Sequence, residues 1–170
     1  LPDPYAAIPW WTYYFRDISL QFLPLRQYQV AELAAGRVPF WNPYAHEGEF
    51  MVPSFYPFDL LHLIDSSPPF VSWVLTLHFP LAALGAYALG RARGISPLGA
   101  FTSGAVYALG GFALSTLNLY VFLQALALAP FVVLTCERAA TRGGRWIAGS
   151  ALALAVSLTT LALEIVGQAA

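Results

Sequence analysis

From residue 70 onward, charge is confined to two arginine-bearing turns and to Glu137 and Glu164, and this limits what the chain can fold into. Apolar runs cover about Phe70–Gly90, Leu98–Leu117, Tyr120–Cys136 and Trp146–Val166. A helix rises about 1.5 Å per residue, so some 20 residues match the roughly 30 Å hydrocarbon core of a bilayer. The expected fold class is therefore an all-α multi-span membrane protein with four transmembrane helices. At 58% hydrophobic residues, 10% charged residues and a mean hydropathy of +0.62, the chain falls outside the soluble globular range. The net charge of −1 gives no sign of nucleic-acid binding. The single cysteine, Cys136, excludes an internal disulfide and reads as a packing residue at the membrane edge.

Arginine sets the expected orientation. Arg91 and Arg93 fall between the first two runs, and Arg138, Arg142 and Arg145 between the last two. Short arginine-bearing loops stay on the cytoplasmic side. The turn STLNLY near Asn118 carries no positive charge and is assigned outside, and so is the whole of residues 1–69. Within the second run Gly99, Ser103, Tyr107, Gly111 and Ser115 recur every fourth position, a spacing that predicts a closely packed face. In the fourth run Ser150, Ser157, Thr160, Glu164 and Gln168 form a polar stripe. Such a stripe is expected to face the bundle interior or a wet cavity, with Glu164 near the outer end. His78, an ionisable group within the first span, is either a functional candidate or a neutral histidine bonded to a neighbouring helix.

Two regions follow: an extracytoplasmic loop over 1–69 and a transmembrane region over 70–170. The loop opens on LPDPYAAIPWWTYYF, whose tryptophans and tyrosines suit a membrane interface or, less simply, sugar stacking. Pro24 to Ala35 reads as a short amphipathic helix on the membrane surface, stopped by Gly36 and Pro39. Phe40–Tyr44 reads as a turn because Asn-Pro starts turns, and Phe58–Ile64 as a second surface helix. The sequence begins at Leu1 and ends within the apolar run LALEIVGQAA, so a fragment of a longer membrane protein is expected.

The loop holds most of the acidic residues, and it contains no glycine-rich phosphate loop, zinc-spaced cluster or serine nucleophile motif. His46, Glu47 and Glu49 are either a weak divalent-metal set or a solvated polar turn, and the turn is preferred, so no cofactor is expected. Asp17, after an aromatic run and before the surface helix, is either a helix cap or a functional acid.

Asp17, then Gly36-Arg37-Val38-Pro39-Phe40-Trp41-Asn42-Pro43-Tyr44, Gly48, Phe55-Tyr56-Pro57 and Leu60-Leu61, resemble the first outer loop of YfhO-type bacterial membrane proteins. The Leu77-His78 pair, the Arg91–Gly94 turn and the LEIVGQ of the last run fit the same pattern. Such proteins are similar to glycosyltransferases of the GT-C superfamily. The resemblance implies a GT-C-like fold whose large first outer loop carries membrane-surface helices. It implies transfer of a sugar from a polyprenyl-phosphate lipid to an extracytoplasmic acceptor, with Asp17 as catalytic base. Arg16, Arg26 or Arg37 would meet the lipid phosphate, arginine being suited to bidentate phosphate contact. Trp41, Asn42, Tyr44, Glu47 and Glu164 complete the expected substrate contacts. The expected partners are the lipid-linked sugar, the bilayer and other membrane subunits. The reading from another class is a non-catalytic membrane subunit or a transporter, for which broken helices with polar groups at mid-membrane depth are expected.

Overall fold

The computed structural model describes residues 17–44, 47–160 and 162. Among the described residues three helical stretches are long and apolar enough to cross a membrane: Pro68–Ala92, Pro97–Asn118 and Tyr120–Arg142. The first is α2 (Pro68–Thr76) followed by α3 (His78–Ala92). The second is α4 (Pro97–Leu109), α5 (Gly111–Ser115) and a closing 3-10 turn, and the third is the unbroken α6 (Tyr120–Arg142). Packing runs α4 on α3, α3 on α6 and α6 on α7 (Arg145–Leu158).

Proline explains the irregularities. Pro80 lacks the N–H that would bond the carbonyl of Thr76, and the helix breaks at Leu77, a few residues before it. His78 Nδ1 lies 2.9 Å from the Val74 carbonyl oxygen and 3.3 Å from that of Leu75, serving carbonyls beside the break. Pro130 sits inside α6 and releases the carbonyl of Leu126. The Tyr107 hydroxyl of α4 donates to that oxygen at 2.8 Å. A freed backbone carbonyl has no water to turn to in hydrocarbon, so each break needs such a partner.

Glycine sets the helix spacing. A Cβ on Gly104 would lie 2.6 Å from the Ala83 carbonyl oxygen, so α3 and α4 approach backbone to backbone. The packed stripe on α4 is Ala100, Gly104 and Ala108, each buried. The predicted stripe is therefore displaced by one position. Ser103 is exposed, its hydroxyl satisfied by the Gly99 carbonyl one turn back at 2.9 Å.

The last run also departs from expectation. Its helix, α7, ends at Leu158 rather than near residue 166. The hydroxyls of Thr159 and Thr160 bond the carbonyls of Val156 and Ser157 at 2.6 and 2.8 Å. Back-bonding of this kind competes with the helical ladder. Residues 163–170, with Glu164 and Gln168, lie outside the described residues, but Ser157 and Thr160 face the interior and are buried. The third span, by contrast, runs on to Arg142, six residues beyond the expected end.

The loop folds back over one end of this bundle. A π-helical turn, Ile18–Phe22, leads into α1 (Leu23–Ala34), a short hairpin pairs β1 (Trp41–Asn42) with β2 (Glu49–Phe50), and a 3-10 helix covers Asp59–Leu63. The side of α1 turned toward the protein is mixed rather than purely apolar, since it carries Gln29, which is buried, and Arg26, whose side chain is 12% exposed, beside Leu23, which packs on the core. At the opposite end Arg93 pairs with Glu137, and Arg138 donates to the Ala92 carbonyl at 3.2 Å. Arginine turns and acidic loop thus occupy opposite ends, as the sequence requires of a self-consistent topology.

Candidate functional site

Among the buried polar groups of the loop is Asp59, which is 3% exposed. Its Oδ2 accepts from Arg26 Nη2 at 2.7 Å and from the Ser54 hydroxyl at 2.6 Å. Its Oδ1 accepts from Gln124 Nε2 at 2.6 Å and from the Tyr120 hydroxyl. Arg26 also donates to Gln29 Oε1 at 2.9 Å, and Gln29 Nε2 donates to the Ser54 carbonyl at 2.5 Å. Loop, α1 and the first turns of α6 are therefore held on one carboxylate. Four donors occupy its two oxygens, which commits them to holding these elements together. Beside it Tyr56 contacts His78 Nε2 through its hydroxyl at 3.1 Å, so His78 is a bonded interior histidine. Burial, and then the charge of Asp59, push the Tyr56 pKa up, keeping the phenol neutral.

His62 lies in the same layer, 1% exposed, edge-on to Phe70, and neither ring nitrogen has a partner among the described residues. Burial first, and the charge of Arg26 second, hold its pKa below 6.5, against smaller opposing effects of Asp59 and Asp65. The unfolded chain therefore takes up this proton before the folded one. Stability is expected to be full above about pH 6.5 and to decline as pH falls through that value. His62→Leu is expected to flatten the decline and to gain about 1 kcal/mol at neutral pH, since an unpaired buried polar group is removed. Thermal unfolding in detergent at about pH 7.5 and about pH 5.5 measures both effects. An unchanged slope with a lower midpoint would show a partner for this ring.

Asp17 stands at a different point of the loop. It is half-buried just before the π-helical turn, caps no backbone N–H with its side chain, and accepts from Asn118 Nδ2 at 3.1 Å. One turn further along, Leu20 and Gln21 begin a groove of about 560 Å³ that continues past Pro24 and Tyr28 to Asn42, Tyr44 and Glu49. The WNPY motif builds the far wall. Asn42 is buried, and its Oδ1 accepts from the Tyr44 N–H at 3.0 Å, closing the turn that Pro43 begins. The Tyr28 hydroxyl donates to the Trp41 carbonyl at 2.7 Å, and the Tyr28 and Tyr44 rings meet edge to face. Gly48 takes φ +108°, and a Cβ there would lie 2.5 Å from the Trp41 ring, which accounts for the glycine of the motif.

Of the expected contact residues, the fold gathers Asn42 and Tyr44 at the groove and leaves Trp41 on the exposed face of the hairpin. Glu47 is exposed, with φ +64°. Arg26 is committed to Asp59 and Gln29 with its side chain only 12% exposed, so the fold turns it inward, away from the phosphate-binding role expected of it. Arg37 forms a two-pronged pair with Glu32 at 2.7 Å for each bond, and that hydrogen bonding is the main reason the Glu32 pKa is lowered. Arg16, His46 and Glu164 lie outside the described residues.

Gln21 in the groove, and the cluster of Asp59 with Ser54, Gln29, Tyr120 and Gln124, were not anticipated as site residues, while Glu49, weighed only as a weak metal ligand, lines the groove. Tyr120 and Gln124, four apart in an otherwise apolar run, were the one legible sign of a polar partner descending from the loop. Compared with family models, curated proteins and solved structures, the chain matches none. Fold and site together define a predominantly helical protein. Among the described residues it has three helices long and apolar enough to cross a membrane, and a polar cap closes one end of the bundle.

Proposed function

We propose that the chain is the N-terminal part of a membrane glycosyltransferase that moves a sugar from a polyprenyl-phosphate donor to an extracytoplasmic acceptor, with Asp17 as general base. The observation that carries the reading is the contrast between carboxylates. Asp59 is occupied by four donors and Glu32 by Arg37, while Asp65 accepts from the Ser67 backbone and hydroxyl at 2.8 and 2.9 Å. Asp17 holds a single neutral amide among the described residues and precedes by three residues Leu20, which opens the lining of the polar and aromatic groove. A groove that mixes aromatic faces with amide and carboxylate groups suits a sugar ring.

In the proposed step the acceptor hydroxyl gives its proton to Asp17 while its oxygen forms a bond to the anomeric carbon. The bond from that carbon to the donor phosphate breaks, and the electron pair leaves with the polyprenyl phosphate. Developing positive charge at the anomeric carbon makes a nearby carboxylate favourable in any case. Arg37, whose side chain is 63% exposed, and Arg16 remain as partners for the departing phosphate.

One observation favours transport or a non-catalytic role instead: the first span is broken at Leu77, with His78 beside the break. His78 is fully buried and bonded on both nitrogens, so it lines no path through the bundle. The test is consumption of a radiolabelled polyprenyl-phosphate sugar by the full-length protein in vesicles. Release of polyprenyl phosphate with a glycosylated product is expected. No consumption across a panel of such donors would leave the scaffold reading in place.

A further inference from the structure

We propose that the groove between α3 and α4 is a site for an anionic phospholipid, its acyl chain lying against the helices and its phosphate meeting Arg91. The groove holds about 850 Å³ and is lined almost wholly by apolar side chains, among them Leu84, Tyr87, Leu98, Phe101, Ala105 and Leu109. Leu84, Leu98, Phe101 and Leu109 are each more than 60% exposed, so the bundle itself leaves the groove uncovered. Its depth comes from the close crossing at Gly104 and from the small residues Ala83, Ala105 and Ala108 on its floor.

The groove has two unlike ends. It runs the length of α4, from Phe79 and Leu109 at one end to Pro97 and Leu98 beside the arginine-bearing turn, and no residue of the acidic loop lines it. On α3, Leu84, Tyr87 and Arg91 fall at helical spacings of three and four, so the arginine continues the lining face one turn past the groove. Arg91 is exposed, and its Nη1 donates to the Ile95 carbonyl at 2.6 Å, which anchors the guanidinium over the turn and leaves its remaining N–H groups outward. The N-terminal end of α4, capped by Ser96, adds its dipole at the same corner. A single apolar chain with a negative head at one end is the ligand this charge distribution complements. An uncharged segment would leave the arginine unanswered, and a soluble anion would leave the groove empty. The proposal rests on the helices crossing a membrane and is independent of the sugar-transfer reading.

The test uses the full-length protein in nanodiscs carrying either phosphatidylglycerol or phosphatidylcholine with a photoactivatable acyl chain. Peptides covering residues 79–109 are expected to take about five-fold more label from the anionic lipid, the preference one arginine near a headgroup supplies. Arg91→Gln is expected to abolish the preference, and Ala105→Trp, which fills the groove, to abolish the label from both lipids there. Equal labelling of the wild-type protein by the two lipids would overturn the proposal. So would an absence of label accompanied by a disulfide cross-link from position 101 to another helix or a second copy, since that would identify a protein occupant. Because the wild-type comparison decides on its own, a variant that failed to fold would not obscure the result.

Discussion

Asp17→Asn in the full-length protein is expected to lower the rate of sugar transfer by about 10²–10⁴-fold, the range over which a general base contributes. The substitution keeps size and shape, and its amide oxygen still accepts from Asn118, so the local geometry is conserved. What disappears is the oxygen that, in the proposed step, would take the acceptor's proton. The position is half-buried and holds no ion pair among the described residues, so stability should move by no more than about 0.5 kcal/mol. The loss should fall on kcat, with the donor KM little changed, because a base acts in the transition state rather than in donor binding. A well-folded variant that transferred sugar at close to the wild-type rate would remove Asp17 from the chemistry. Glu49, which lines the groove between α1 and the hairpin, would be the next carboxylate to replace.

The parts of the fold legible in the sequence were those set by one-dimensional patterns. Apolar run length placed the helices, and the arginine turns sorted the loops into two ends, because charge and hydrocarbon exclude each other regardless of tertiary detail. Boundaries were less legible where a local side chain competes for the backbone, as Thr159 and Thr160 do at the end of α7. The displaced stripe on α4 has a similar cause. Gly99 and Ser103 share the four-residue spacing of Ala100, Gly104 and Ala108, and only the approach of the Ala83 backbone selects between them.

The candidate site divides along the same line. The WNPY block stood out as a motif, yet its residues serve first to shape a hairpin through the Asn42 turn and the bare face of Gly48. Asp59 was one acid among several in the loop. Its importance depends on Tyr120 and Gln124, more than 60 positions away, and no local pattern reveals a pairing over that separation.

Asp59→Ala is expected to destabilise the protein by about 3–5 kcal/mol, more than any other single change considered for the loop. Removing the carboxylate strands the Arg26 guanidinium, 12% exposed, beside the face of Tyr120, where water can barely reach it. It also leaves the Gln124 amide, the Tyr120 hydroxyl and the Ser54 hydroxyl without their acceptor. These donors belong to the loop and to α6, so the damage should begin where the two meet. Limited proteolysis should cut within residues 17–69 before the transmembrane helices unfold, and the melting transition should split or broaden. A companion variant separates the loss of an interaction from the cost of an unpaired charge. Arg26→Met combined with Asp59→Leu replaces both partners by apolar groups of similar size, and such exchanges are often neutral or stabilising for buried pairs. The double variant is therefore expected to recover the share of the loss that comes from the stranded guanidinium, while the Gln124, Tyr120 and Ser54 donors stay without their acceptor. If Asp59→Ala instead melted within about 1 kcal/mol of wild type, as an exposed pair would, the carboxylate would not be the clasp between loop and bundle, and Asp59 would return to the set of acids available for chemistry.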